Sequence, residues 1–155
     1  MTDDATIRIA AGSDPIAALR KAHLDQLALC DSLEDIADSL PDHVNRQKCI
    51  YAAKALGPMV AGVHRFEEDI VFPLISRKLS GVFDLTATLS RLRFEHCEDE
   101  CFAEELTEAL HKLGAGDPDT NAEATGYMLR GFFEAMRRHI AFESEHLLSP
   151  AEKAP

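Results

Sequence analysis

Four histidines and two glutamates recur in the same order in the two halves of this chain. His23 is followed 41 residues later by His64, which opens His64-x-x-x-Glu68. His96 is followed 43 residues later by His139, which opens His139-x-x-x-Glu143. On an α-helix, positions i and i+4 share a face, so each pair aims an imidazole and a carboxylate at one point. A helical bundle that turns all six groups inward creates a site for two transition-metal ions.

The rest of the chain reads as helices. Residues 1–13 are expected to form an irregular arm. Asp14-Pro15 then supplies an N-cap and a proline at the first helical position. Helix 1 runs to about Leu40, with Ile16, Leu19, His23, Leu27 and Cys30 on one stripe. Helix 2 spans about 43–79, with a kink expected at Gly57-Pro58 and loosening at Pro73. Helix 3 spans Asp84 to Leu113, with Gly114 as the expected C′ residue. Thr120-Asn-Ala-Glu123 has the form of a capping box opening helix 4, and Pro150 is expected to stop that helix. The predicted domain is residues 14–150, with 151–155 a frayed tail.

Short connections between four helices imply an all-α, up-down-up-down four-helix bundle. At about 1.5 Å rise per residue, the candidate ligands then lie at similar depth, to within roughly two turns. The spacings therefore support one shared site.

Composition excludes several function classes. The 155 residues suffice for one domain with a real core. A net charge of −11 argues against nucleic acid and anionic membrane as partners, since both need basic patches. No apolar run approaches the roughly 20 residues that span a bilayer. Met1-Thr2-Asp3-Asp4 lacks the basic-then-apolar order of a secretion signal, so a cytoplasmic location is expected. Cys30, Cys49, Cys97 and Cys101 do not have disulfide-framework or zinc-ribbon spacing. They are expected to be buried or half-buried core residues, with a redox or metal-delivery role for Cys97 as the alternative.

Burying four imidazoles and two carboxylates in one layer costs several kcal/mol unless they are strongly partnered. Metal ions are the natural partner. Six nitrogen and oxygen donors suit ions of higher coordination number better than four-coordinate zinc, and calcium and magnesium prefer all-oxygen sites. Iron fits best and manganese next, with zinc a further alternative. In the expected geometry Glu68 and Glu143 bridge two ions, two histidines cap each ion, and open positions remain for a small ligand.

His64-Arg-Phe-Glu-Glu68-Asp-Ile-Val-Phe-Pro73 resembles the signature of the hemerythrin-like HHE cation-binding domains. His139-Ile-Ala-Phe-Glu143 is similar to the second copy, with Phe-Pro replaced by Leu-Leu-Ser-Pro150. His23 and His96 match the lone ligands of the first and third helices. The resemblance implies a bundle with a non-heme di-iron centre, carboxylate- and oxo- or hydroxo-bridged, that binds O2 or NO or senses iron or redox state. Oxygen-carrying members have a His-x-x-x-His pair on the third helix, where this chain reads His96-x-x-x-Glu100. The resulting four-His, two-Glu set resembles members linked to nitrosative stress and repair of iron centres. Those tend to carry an extra N-terminal segment with a cysteine, which the arm here lacks. Glu100 has three readings: a third carboxylate ligand, an acceptor for a histidine N–H, or an exposed charge.

Glu67 and Asp69, flanking Glu68, are expected to face solvent or to sit at the entrance to the site. His43, His111 and His146 are expected to be solvated. Phe66, Phe72, Phe132, Phe133 and Met136 are expected in the core, some of them lining a dry pocket beside the metals. The leading functional reading is a protein that binds or senses a diatomic ligand. The alternatives are a di-iron peroxidase or NO-consuming enzyme, an iron-handling or iron-centre repair protein, and a metal-free structural bundle. The sequence leaves the oligomeric state open, a homodimer being one outcome.

Overall fold

The computed structural model describes Ile7 and residues 12–155, so most of the expected arm lies outside the described residues. Helix α1 spans Pro15–Ser39 and is capped by Asp14, whose carboxylate accepts the Ile16 N–H at 2.9 Å. Helix α2, Arg46–Phe66, is capped by Asn45, which accepts the Lys48 N–H at 3.1 Å. It runs through Pro58 as α-helix and passes into a π-helical turn, Glu67–Val71, and then helix α3, Phe72–Leu79. Helix α4 is Thr86–Ala115. Helix α5, Ala122–Glu143, continues through a second π turn, Ser144–Leu148, into helix α6, Ser149–Lys153. No strand forms among the described residues.

These segments make four long rods in an up-down-up-down bundle. The α2–α3 rod packs between α1 and α4, and the α5–α6 rod packs between α4 and α1, closing the ring. The expected all-α four-helix bundle is what forms.

Both π turns precede a proline. In the first, the Phe72 N–H reaches the Glu67 carbonyl; in the second, the Ser149 N–H reaches the Ser144 carbonyl. Each is an i→i−5 bond, one residue wider than the α-helical bond. Proline lacks a donor and crowds the carbonyl four residues back. The wide turn lets Pro73 and Pro150 start a new helical segment without ending the rod.

That corrects the expected C-terminus. Pro150 does not stop the last helix, and 151–155 is not a frayed tail: α6 extends to Lys153 and Ala151 is fully buried. The Arg20 guanidinium pairs with Glu152 and donates to Ser144 Oγ at 3.1 Å and Ser149 Oγ at 3.3 Å. Lys78 Nζ donates to the Ala151 carbonyl at 3.1 Å. Two caps also differ from expectation. Asn121 rather than Thr120 caps α5, accepting the Ala124 N–H at 3.0 Å, because its amide reaches the N3 donor. Gly116 rather than Gly114 takes the left-handed conformation after α4, with φ 72°.

Gly114 has a different role. It sits where α2 crosses α4, and a Cβ there would lie 2.7 Å from Ile50 Cγ1 and 3.2 Å from the Arg46 carbonyl.

The core comes in two parts. One apolar cluster includes Leu33, Leu56, Leu106, Leu110, Leu129, Phe132 and Phe133. The other includes Leu19, Phe66, Phe72, Ile75, Leu147 and Leu148. Phe66, Phe72, Phe132, Phe133 and Met136 are all buried, as expected. Between the clusters lies a layer of buried polar side chains: His23, Gln26, His64, Glu67, His96 and Glu143.

The close α2–α4 crossing predicts that Gly114→Val destabilises the bundle by about 1–3 kcal/mol through overpacking. Chemical denaturation measures this, and an unchanged midpoint would contradict the crossing.

Candidate metal centre

Every rod contributes to the polar layer. His23 comes from α1, one turn beyond the apolar Leu19. His64 sits near the end of α2, and Glu67 opens the first π turn. His96 comes from α4, while His139 and Glu143 come from the last turns of α5. Glu67, His96 and Glu143 are each only 1% exposed. The His139 side chain is 10% exposed.

The two buried carboxylates link the histidines. Glu67 Oε1 lies 2.9 Å from His23 Nε2, and its Oε2 lies 2.8 Å from His96 Nε2. Glu143 Oε2 lies 3.2 Å from His23 Nε2, and its Oε1 lies 3.0 Å from His139 Nε2 and 4.0 Å from His96 Nε2. Each carboxylate thus spreads its two oxygens over two different imidazoles. The His64 ring stacks on His96, with centroids 3.8 Å apart and planes 9° off parallel.

The contacts differ in alignment. His23 and Glu67 do form an aligned bond. By contrast, Glu67 Oε2, His96 Nε2, both ring nitrogens of His139 and both oxygens of Glu143 are buried without an aligned partner. Such atoms carry a desolvation penalty of about 1–3 kcal/mol each when left unpaired. One donor atom from each of Glu67, His96, His139 and Glu143 falls within 4.8 Å of the others. Donors about 2.0–2.2 Å from a cation sit up to about 4.4 Å apart, so a slight contraction would close this group around one. Nitrogen and oxygen atoms crowded this closely around one point fit a cation there.

The same contacts set the electrostatics of the metal-free layer. Burial alone would push His23 and His139 down, but the adjoining Glu143 and Glu67 carboxylates lift each to about 9. His96 also moves up: burial opposes it, and Glu67 and Glu68 outweigh burial. Burial opposes ionisation of Glu143 too, yet the His139 and His23 nitrogens hold it well below the usual carboxylate range. His64 goes the other way, to about 2, driven by burial and then by the neighbouring His96 and His139 charges. Burial thus favours its neutral form, which keeps a lone pair free.

The sequence expectation needs correcting at one pair of residues. Glu67, expected toward solvent or the entrance, is the buried carboxylate between His23 and His96. Glu68, expected in the cluster, keeps a 34% exposed side chain, and its Oε1 lies 2.8 Å from His96 Nδ1 on the outer side of the ring. Positions i+3 and i+4 flank the face of His64 on either side, so the spacing alone admits both. The adjacent glutamates Glu67-Glu68 were the available signal, and only the start of the π turn distinguishes them.

The structure brings His23, His64, His96, His139 and Glu143 to the layer. It places Glu100 outside, where Oε1 lies 3.0 Å from His64 Nδ1. This is the geometry of the second of its three readings. His146 is solvated, 54% exposed. The cysteines divide. Cys30 and Cys49 are buried, and burial pushes the Cys30 thiol up to about 11 and Cys49 upward. Cys97 and Cys101 are exposed, contrary to expectation, because they lie on the side of α4 turned away from the layer.

Among the described residues, no helix is long and apolar enough to cross a membrane. Comparison with known proteins finds no match among curated proteins and none among solved structures. The family model of the hemerythrin HHE cation-binding domain matches residues 14–151, nearly the whole chain. With its buried histidine and glutamate layer inside four helical rods, this chain belongs to the hemerythrin family of HHE cation-binding domains.

Proposed function

We propose that the polar layer holds two transition-metal ions, iron by preference, and that the loaded centre binds or senses O2 or NO. Manganese is the next candidate, and zinc a further one. The observation that carries this reading is the set of buried, unaligned donors around Glu67 and Glu143. Donor atoms of Glu67, His96, His139 and Glu143 converge on one point, and His23 and His64 are buried in the same layer; nitrogen and oxygen donors of this kind suit transition-metal cations.

Each residue has a definite task. Glu67 and Glu143, whose oxygens lie against different histidines, would hold the cations. His23, His96 and His139 present Nε2 inward. His64 contributes a neutral ring to the same layer. Glu68 and Glu100 take the outer Nδ1–H of His96 and His64, which fixes those tautomers and leaves Nε2 bare. When bound, iron supplies an open coordination position and one-electron redox chemistry. The apolar clusters above and below the layer exclude water and favour a small neutral ligand over a charged one.

This reading sets the order of losses on mutation. Glu67→Ala should remove bound iron outright, whereas Glu68→Ala should weaken binding by about 10–100-fold while the site survives. Elemental analysis after anaerobic loading reads both. Equal iron in wild type and Glu67→Ala would contradict the assignment.

Proton release follows from the direction of the histidine shifts. In metal-free protein the Glu143 and Glu67 carboxylates push His23 and His139 up to about 9, which favours their protonated forms at pH 7. Ligation needs the neutral ring. Metal uptake at pH 7 should therefore liberate protons, and affinity should climb from pH 6 to 9 and then level. Calorimetry in buffers of different ionisation enthalpy measures the release; an affinity that falls over that range would contradict the account.

Removing the metal should also lower the melting temperature, because the buried donors lose their partner. Identical thermal transitions with and without iron would argue for a purely structural layer.

A further inference from the structure

Two of the four imidazoles are steadied from outside by a carboxylate: Glu68 on His96 and Glu100 on His64. His139 lacks this support at hydrogen-bonding distance. Its Nε2 turns inward to Glu143, while its Nδ1 is buried without an aligned partner. Glu95 Oε2 lies 3.6 Å from that Nδ1. Glu95 is one residue before His96 on α4, its side chain 32% exposed, and its other oxygen accepts from Arg91 Nε at 2.9 Å, one turn earlier. Arg91, Glu95, Asp99 and His139 line a groove of about 540 Å³ between α4 and α5. A glutamate can close a gap of less than 1 Å by rotating side-chain torsions, with no change in the helices that carry it.

We propose that Glu95 is the positioning residue for His139. Its Oε2 accepts the Nδ1–H, which leaves Nε2 bare toward the centre, while Arg91 anchors the other oxygen at the groove mouth. The role rests on the metal-centre reading and adds to it a residue that the His-x-x-x-Glu pattern does not contain. A ring without an outer acceptor is free to take the other tautomer or to turn, and either takes Nε2 away from the cation. Asp99, in the same groove, is the competing acceptor.

Cobalt(II) tests this, because its paramagnetism shifts the N–H protons of ligating imidazoles away from the rest of the NMR spectrum. Wild type, Glu95→Ala, Glu95→Gln, Asp99→Asn and, as a control for loss of a carboxylate from the same groove, Glu98→Gln are loaded with Co2+ after circular dichroism shows each is folded. Glu95→Ala should lose or broaden one shifted, exchangeable N–H signal and bind Co2+ about 10–100-fold more weakly. Glu95→Gln, which keeps an acceptor oxygen, should restore the signal, and Glu98→Gln should match wild type. An unchanged signal and affinity in Glu95→Ala would overturn the assignment, as would the same loss appearing in Asp99→Asn instead. A wild-type chain that takes up no Co2+ would overturn the metal-centre reading itself, a result distinct from a loaded wild type that is indifferent to Glu95.

Discussion

The structure depends on a layer of ionisable side chains buried where a bundle would ordinarily place leucine. Two apolar clusters close over that layer from either side. Hydrophobic burial is indifferent to direction and would tolerate many registers of four helices. The buried histidines and glutamates are not indifferent. Each needs a partner at a fixed position, and misregister would strand a charge in the core at a cost of several kcal/mol. The layer therefore ties the rods to one relative height, and the apolar clusters supply the free energy that keeps it dry.

The π turns are part of the same device. A helix that brings His64 inward and then meets Pro73 has to absorb the proline without losing its course. A one-residue widening at Glu67–Val71 does so, and it begins at the carboxylate that enters the layer. The second rod repeats the solution: Glu143 is the last α-helical residue before the turn ahead of Pro150. Wide turns of this kind are frequent at functional sites, because they re-aim a side chain by a fraction of a turn while the rod continues. Continuation also matters at the far end, where α6 buries Ala151 and places Glu152 within reach of Arg20.

Much of this was legible in the residues. The periodic stripes, the Asp14-Pro15 start and the short connections pointed to four antiparallel helices. The repeated histidines placed His23, His64, His96 and His139 at one depth, which is where they lie. What the residues hid is physical in origin. A period of 3.6 cannot choose between i+3 and i+4, so Glu67 and Glu68 were exchanged. A proline read by its own propensity ends a helix, so Pro150 concealed α6. Whether Cys97 and Cys101 face inward depends on how α4 is rotated, and the stripe through His96 and Leu106 turns that face toward solvent. Glu100 kept its three readings at the level of sequence, because reaching a ring from outside depends on a neighbouring helix.

Anomalous diffraction from iron-loaded crystals, collected at the iron edge, tests the central claim most directly. The account predicts two peaks per chain inside the polar layer, both within bonding distance of Glu67 and Glu143 oxygens, with Glu68 and Glu100 out of coordination. Peaks held by Glu68 in place of Glu67, or an iron-loaded chain with no peak between the two apolar clusters, would contradict it.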